Sequence, residues 1–197
     1  MSLLSMALML FLICNPIGGV PTFVALVKDF DFRRQRWILF REAVFSALLA
    51  YFFLFLGETF LHTINIELYA VRIGGGILVF LVSLNMIFPV HQESQKGSNA
   101  LQNEPFIVPI ATPLLTGGGV FSTIMVLADQ ASVGMVGAAI FIAWAATIAI
   151  VVSSVYLNKL LGKRGLLALE QLMGMLLAML AIEIFSLGLH AFIKQSM

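Results

Sequence analysis

An all-α, polytopic membrane protein is the fold class this sequence predicts, and three observations carry it. Six apolar runs reach about twenty residues, the length a helix needs to cross the hydrocarbon core. Of the 197 residues, 60% are hydrophobic and 11% charged, with a mean hydropathy of +1.03, far beyond an ordinary soluble domain. Two of the runs are interrupted by matching motifs, Asn15-Pro16-Ile17-Gly18-Gly19-Val20-Pro21 and Thr112-Pro113-Leu114-Leu115-Thr116-Gly117-Gly118-Gly119. Paired interruptions in corresponding halves of a membrane chain mark a transporter binding site.

The runs fall at residues 2–28, 37–60, 66–89, 105–129, 133–157 and 165–191. The first opens on Met1-Ser2-Leu3-Leu4 without the basic region or cleavage site of a signal peptide, so it is expected to be retained helix. Ser2 to Cys14 makes a half-helix of about 20 Å, and a second half restarts near Val20-Pro21, since proline suits a first helical turn. Lys28 to Arg36 separates the first run from the second, which carries Arg41 and Glu42 one turn inside. As sequence neighbours these two are not expected to face each other. Ala43, Ala47 and Ala50 in the second run, and Ala139, Ala143 and Thr147 in the fifth, predict close helix contacts. The third and fourth runs are separated by residues 91–104, whose Gln92, Glu93, Ser94, Lys96 and Gly97 read as a flexible cytoplasmic linker. In the fourth run Gly117 to Gly119 precede a restart at Val120, where Ser122 and Thr123 are placed to cap or line a pocket. Asn158 to Arg164 separates the last two runs.

Basic residues gather in alternate linkers: Lys28, Arg33, Arg34 and Arg36 in the first, Lys96 in the third, Lys159, Lys163 and Arg164 in the fifth. The positive-inside rule therefore places both termini on the extracytoplasmic side of a plasma (inner) membrane. Trp37 beside the first linker fits an interfacial anchor.

Residues 72–78 align with 170–176 at an offset of 98 that also pairs Asn85 with Glu183, and Pro16 and Pro113 differ by 97. An odd number of crossings reverses the second copy, so residues 1–90 and 105–197 are read as two inverted three-helix repeats of one membrane domain, with helices 1 and 4 broken.

Taken together, Asn15-Pro16-Ile17-Gly18 with Pro21, Arg41-Glu42, Gly74-Gly75-Gly76, and Glu104-Pro105-Phe106-Ile107-Val108-Pro109 leading to Pro113-Leu114 resemble the MarC family of integral membrane proteins over the whole chain. The resemblance implies six helices as two inverted repeats, kinship with LysE-type exporters, and in some members transport of small neutral amino acids. One departure is Gly117-Gly118, where many relatives have Gly-Pro; it predicts a looser second break.

The breaks expose backbone donors at bilayer depth, where they must be satisfied by protein, water or ligand. The candidate substrate-binding residues are Asn15, Pro16, Gly18 and Gly19 from the first break, and Thr112, Pro113, Thr116, Gly117 and Gly118 from the second. Glycines let backbone approach a small ligand closely. The Asn15 amide and the threonine hydroxyls suit an amino acid's ammonium and carboxylate. The restarted half-helices aim the positive ends of their dipoles at an anion. Ionisable side chains within spans are candidate coupling or gating groups: Glu183, read alternatively as a carboxylate near the outer surface, and Arg41 and Glu42, with snorkelling to headgroups the alternative for Arg41.

The leading functional expectation is a secondary transporter of small polar metabolites, glycine- or alanine-like, alternating access around a midplane site. Its partners are the amino acid, the bilayer and a coupling ion, proton or sodium, with homo-oligomerisation left open. The alternatives are a non-transporting scaffold or assembly factor and, behind it, an intramembrane enzyme. No cofactor is expected and the chain is not read as an enzyme: no nucleotide-binding P-loop or HExxH occurs. A single cysteine, Cys14, excludes a disulfide framework and a CxxC site. Scattered charges summing to +1 give no stripe for nucleic acid, and three distant histidines argue against a metal cluster.

Overall fold

The computed structural model describes residues 2–28, 30–88 and 115–196, and every regular element among them is a helix. The elements are α1 (Leu3–Cys14), α2 (Val20–Val27), α3 (Phe32–Thr63), α4 (Leu68–Ile87) and α5 (Gly118–Gln130). A last helical stretch, Val133–Ser196, breaks at Gly162 (φ 62, ψ 177) into α6 (Val133–Leu157) and α7 (Arg164–Gln195). Among the described residues four helices, α3, α4, α6 and α7, are long and apolar enough to cross a membrane. α1, α2 and α5 are the shorter pieces that the breaks predict. The linker 91–104 and the start of the fourth run lie outside the described residues.

Two boundaries differ from expectation for local reasons. α3 begins at Phe32, because the Asp31 carboxylate accepts the Arg33 amide at 3.3 Å and starts the helix. Arg33, Arg34 and Arg36 are therefore helical and do not lie in a linker. Between α6 and α7 the chain stays helical except at Gly162, whose left-handed φ only glycine adopts readily.

α3 runs antiparallel to α6. Tyr51 Oη donates to Gly137 O at 2.9 Å near one end, and Arg36 donates to Tyr156 Oη at 3.4 Å near the other. Small residues make the contact close: Ala43, Ala50, Ala139, Ala143 and Thr147 are all buried. α4 lies antiparallel on α7 at still closer range. A Cβ at Gly76 would come within 2.8 Å of the Phe185 amide nitrogen and 2.9 Å of Ala181 O. One at Gly174 would come within 2.9 Å of Met86 and 3.2 Å of Ser83 O. α5 fills the angle between α3 and α4, with Phe121 edge-on to Phe53 at 4.9 Å. α1 and α2 pack on the helical stretch that contains α6.

Charge separates to the two ends of this bundle. Arg33, Arg34 and Arg36 start α3 where α6 ends, and Arg164 starts α7 nearby in the chain. At the opposite end Glu58, His62, Asn65, Glu67 and Asp129 line a cleft of about 250 Å³.

Candidate functional site

The first break forms as its residues require. Asn15 closes α1 in the left-handed region (φ 49, ψ 52), with its amide N–H still bonded to Phe11 O. Asparagine is one of the few residues other than glycine that visits this region routinely. Its side-chain Oδ1 then accepts the Gly18 amide at 3.2 Å, a local bond that holds the chain off the helical path. The helix restarts at Val20 with Pro21 in its first turn. Asn15 Nδ2 lies 3.1 Å from Met86 Sδ on α4. Pro16 and Gly18 are buried, and Asn15 and Gly19 partly so.

The second break contributes Thr116 and Gly117 before α5. Thr116 is buried, Gly117 partly exposed and Gly118 exposed. The helix restarts at Gly118, not at Val120, and its N-cap Gly117 has no side-chain cap. Neither Ser122 nor Thr123 caps it. Thr123 Oγ1 bonds back to Gly119 O at 2.8 Å, and Ser122 lies against Gly75, its buried hydroxyl without a partner among the described residues. Thr112 and Pro113 lie outside the described residues.

Three further side chains tie this break down. Thr116 Oγ1 donates to Ser46 O at 3.0 Å and makes a short bond with Ser46 Oγ, while Trp144 Nε1 lies 2.9 Å from Ser46 Oγ. An indole nitrogen only donates, so the direction follows along the chain: Trp144 donates to Ser46, Ser46 to Thr116, and Thr116 back to the Ser46 carbonyl. Thr116, expected to meet ligand, is committed to α3 in this arrangement. Thr147 Oγ1 and Cys14 Sγ approach at 4.0 Å alongside. Ser46 and Trp144 were not legible as site residues, since a hydroxyl and an indole in apolar runs read as packing. Their spacing of 98, the repeat offset, was the available signal.

One turn before Ser46 on α3, Glu42 is fully buried. Contrary to the expectation for sequence neighbours, Arg41 reaches it: Nε and Nη2 lie 3.2 and 3.0 Å from Glu42 Oε1. A long guanidinium side chain folds along the helix, which the facing rule for shorter pairs does not cover. Glu42 Oε2 has no hydrogen-bond partner among the described residues. Glu183 is elsewhere. It lies on the exposed face of α7, not on the side that packs against α4, so it is not gathered with the breaks. Arg72 pairs at 3.6 Å with Asp129.

A family model described as MarC family integral membrane protein matches residues 1–193. The chain is 37% identical over 194 residues to the UPF0056 inner membrane protein YhgN of Escherichia coli (strain K12), covering 98% of each. It is 36% identical over 195 residues to the UPF0056 membrane protein BU449 of Buchnera aphidicola, again 98% of each. A UPF0056 membrane protein of Chlamydia pneumoniae is 31% identical over 189 residues, 95% of this chain and 93% of that one. No solved structure matches.

Proposed function

Because the chain belongs to the MarC family of integral membrane proteins, we propose that it is a secondary transporter of small neutral amino acids, working as six spans in two inverted three-helix repeats. The observation that carries this reading is reciprocity. Gly76 abuts Ala181 and Phe185, while Gly174, 98 residues after Gly76, abuts Ser83 and Ile87, which are 98 residues before Ala181 and Phe185. Exchanging the two copies maps one contact onto the other, as a pseudo-two-fold axis in the membrane plane demands. Ser46 and Trp144, also 98 apart, touch each other, which fits their lying beside that axis. Both breaks border the same core, where α1 packs on α5.

In this reading the bilayer is an inner membrane, as in the name of the Escherichia coli relative, with the basic ends of α3 and α7 in the cytoplasm and both termini outside. The substrate carboxylate takes the Asn15 Nδ2 donor from Met86. A thioether is a weak acceptor, so the exchange strengthens the bond. Backbone donors at the starts of α2 and α5 complete the carboxylate's shell. Rocking one repeat on the other releases Thr116 from Ser46 and opens the site to the other face. The Arg41–Glu42 pair, with one carboxylate oxygen unpartnered among the described residues, is the inner gate or the seat of a coupling proton or sodium ion. The chain itself performs no covalent chemistry.

Counterflow of labelled alanine and glycine into proteoliposomes tests the proposal. Saturable uptake is expected, with Asn15→Ala raising KM by about tenfold, the loss of one charge-assisted hydrogen bond. Flux no greater than in protein-free vesicles, for the parent protein loaded with either amino acid, overturns it.

A further inference from the structure

The outward face of α7 carries a pattern that neither the packing of the chain nor the transport reading uses. Leu172, Leu176, Met179, Glu183, Ser186 and His190 follow one another at alternating spacings of four and three, the rhythm that keeps one seam of a helix turned toward a partner helix. All six are exposed, whereas Leu177, Ala181 and Ile184, on the other side of α7, are buried. The seam is thus turned away from the other described helices.

Depth makes one member of it anomalous. α4 has 20 residues, a length of about 30 Å that matches the hydrocarbon core, and Gly76 near its middle abuts Ala181 and Phe185. Glu183, between those two residues, therefore sits at the centre of the bilayer. A charged side chain at that depth is costly unless another group pairs with it. Its two methylenes cannot carry the carboxylate to headgroups about 15 Å away. No described residue supplies it with a hydrogen bond or a counter-charge. Acyl chains can cover Leu172, Leu176 and Met179, but they offer nothing to a carboxyl group.

We propose that this seam is a homodimer interface, in which a second copy of the chain presents its own α7, parallel and related by a two-fold axis along the membrane normal. Such an axis keeps every residue at its own depth, so Glu183 meets the one group certain to lie level with it, the other copy's Glu183. The two carboxyl groups hydrogen-bond to each other, one O–H donating to the other's oxygen. Ser186 and His190, on the same seam toward the end of the helix, add donors and acceptors there. Leu172, Leu176 and Met179 interlock in the other half. A lone polar residue at a seam position fixes register and partner number, which is the role of Glu183.

The inference stands apart from the transport reading, because its test reads association and not flux. In a Cys14→Ala background, Leu176→Cys on the seam is compared with Leu48→Cys on α3, which is similarly exposed (42% and 59%), by copper-phenanthroline oxidation in lipid-diluted proteoliposomes. Leu176→Cys is expected to cross-link several-fold more. Single-molecule bleaching of the labelled parent protein is expected to show two steps, and Glu183→Leu to shift most molecules to one step while Glu183→Gln, which still hydrogen-bonds, keeps two. Equal cross-linking at both sites, one-step bleaching of the parent, or an unchanged two-step fraction in Glu183→Leu overturns the proposal.

Discussion

Thr116 shows how a residue that breaks a helix can also anchor the break. Its hydroxyl joins the Ser46 backbone carbonyl at 3.0 Å and the Ser46 side chain, whose oxygen takes the Trp144 indole N–H, all of it buried. Thr116→Val keeps the shape and removes both bonds, so the second break should loosen. A loss of about 1–2 kcal/mol is expected, read as a lowered midpoint in thermal denaturation of detergent-solubilised protein. Thr116→Ser, which keeps the hydroxyl, should restore most of it. Trp144→Phe removes a single donor and should cost about 1 kcal/mol, less than Thr116→Val. At this scale the sequence was half legible. Pro16, Gly18, Asn15 and Thr116 announce themselves because they break helices, and Asn15 does adopt the left-handed conformation that ends α1. Glu42 announces itself by its charge within an apolar run, but Ser46 announces nothing, because a small residue in such a run acquires meaning only from what a distant helix brings to it.

Among the elements, α4 offers three adjacent glycines with three different surroundings. A methyl at Gly74 meets nothing within 4 Å, one at Gly75 collides with Ser122, and one at Gly76 collides with the α7 backbone. Gly74→Ala should therefore be neutral or stabilising by up to about 1 kcal/mol, since alanine favours the helix. Gly75→Ala should destabilise by about 1–3 kcal/mol through overpacking, eased where Ser122 can turn. Gly76→Ala should destabilise at least as much, because backbone cannot turn aside. The same denaturation assay ranks them, and an order other than 74, 75, 76 would contradict the packing of α4 on α7. The length of the apolar runs predicted six spans, and among the described residues four helices long enough to cross a membrane, α3, α4, α6 and α7, fall on four of those runs. What it did not reveal was the start of α3, set by the Asp31 cap, or the continuation of helix across residues 158–161, where polar side chains suggested a linker. Composition reports where a chain prefers water, whereas capping bonds decide where a helix stops.

For the whole molecule, the separation of charge predicts an orientation. Arg33, Arg34 and Arg36 begin α3 beside the end of α6, where Arg36 meets Tyr156 both as donor, at 3.4 Å, and over its ring at 5.7 Å. The opposite end carries the cleft of Glu58, His62, Glu67 and Asp129, with Asn65 in the turn between α3 and α4. Loops rich in arginine and lysine stay in the cytoplasm while carboxylates exert little pull, so the Asn65 turn should face outward. Cys14 is buried and should give little background with a membrane-impermeant maleimide. In intact cells or right-side-out vesicles, Asn65→Cys is expected to label fully and Gln35→Cys, among the arginines, only after the membrane is permeabilised. The reverse pattern would invert the protein in the bilayer. It would also move the Arg41–Glu42 pair to the outer half of the membrane, leaving the two breaks and their shared core where they are.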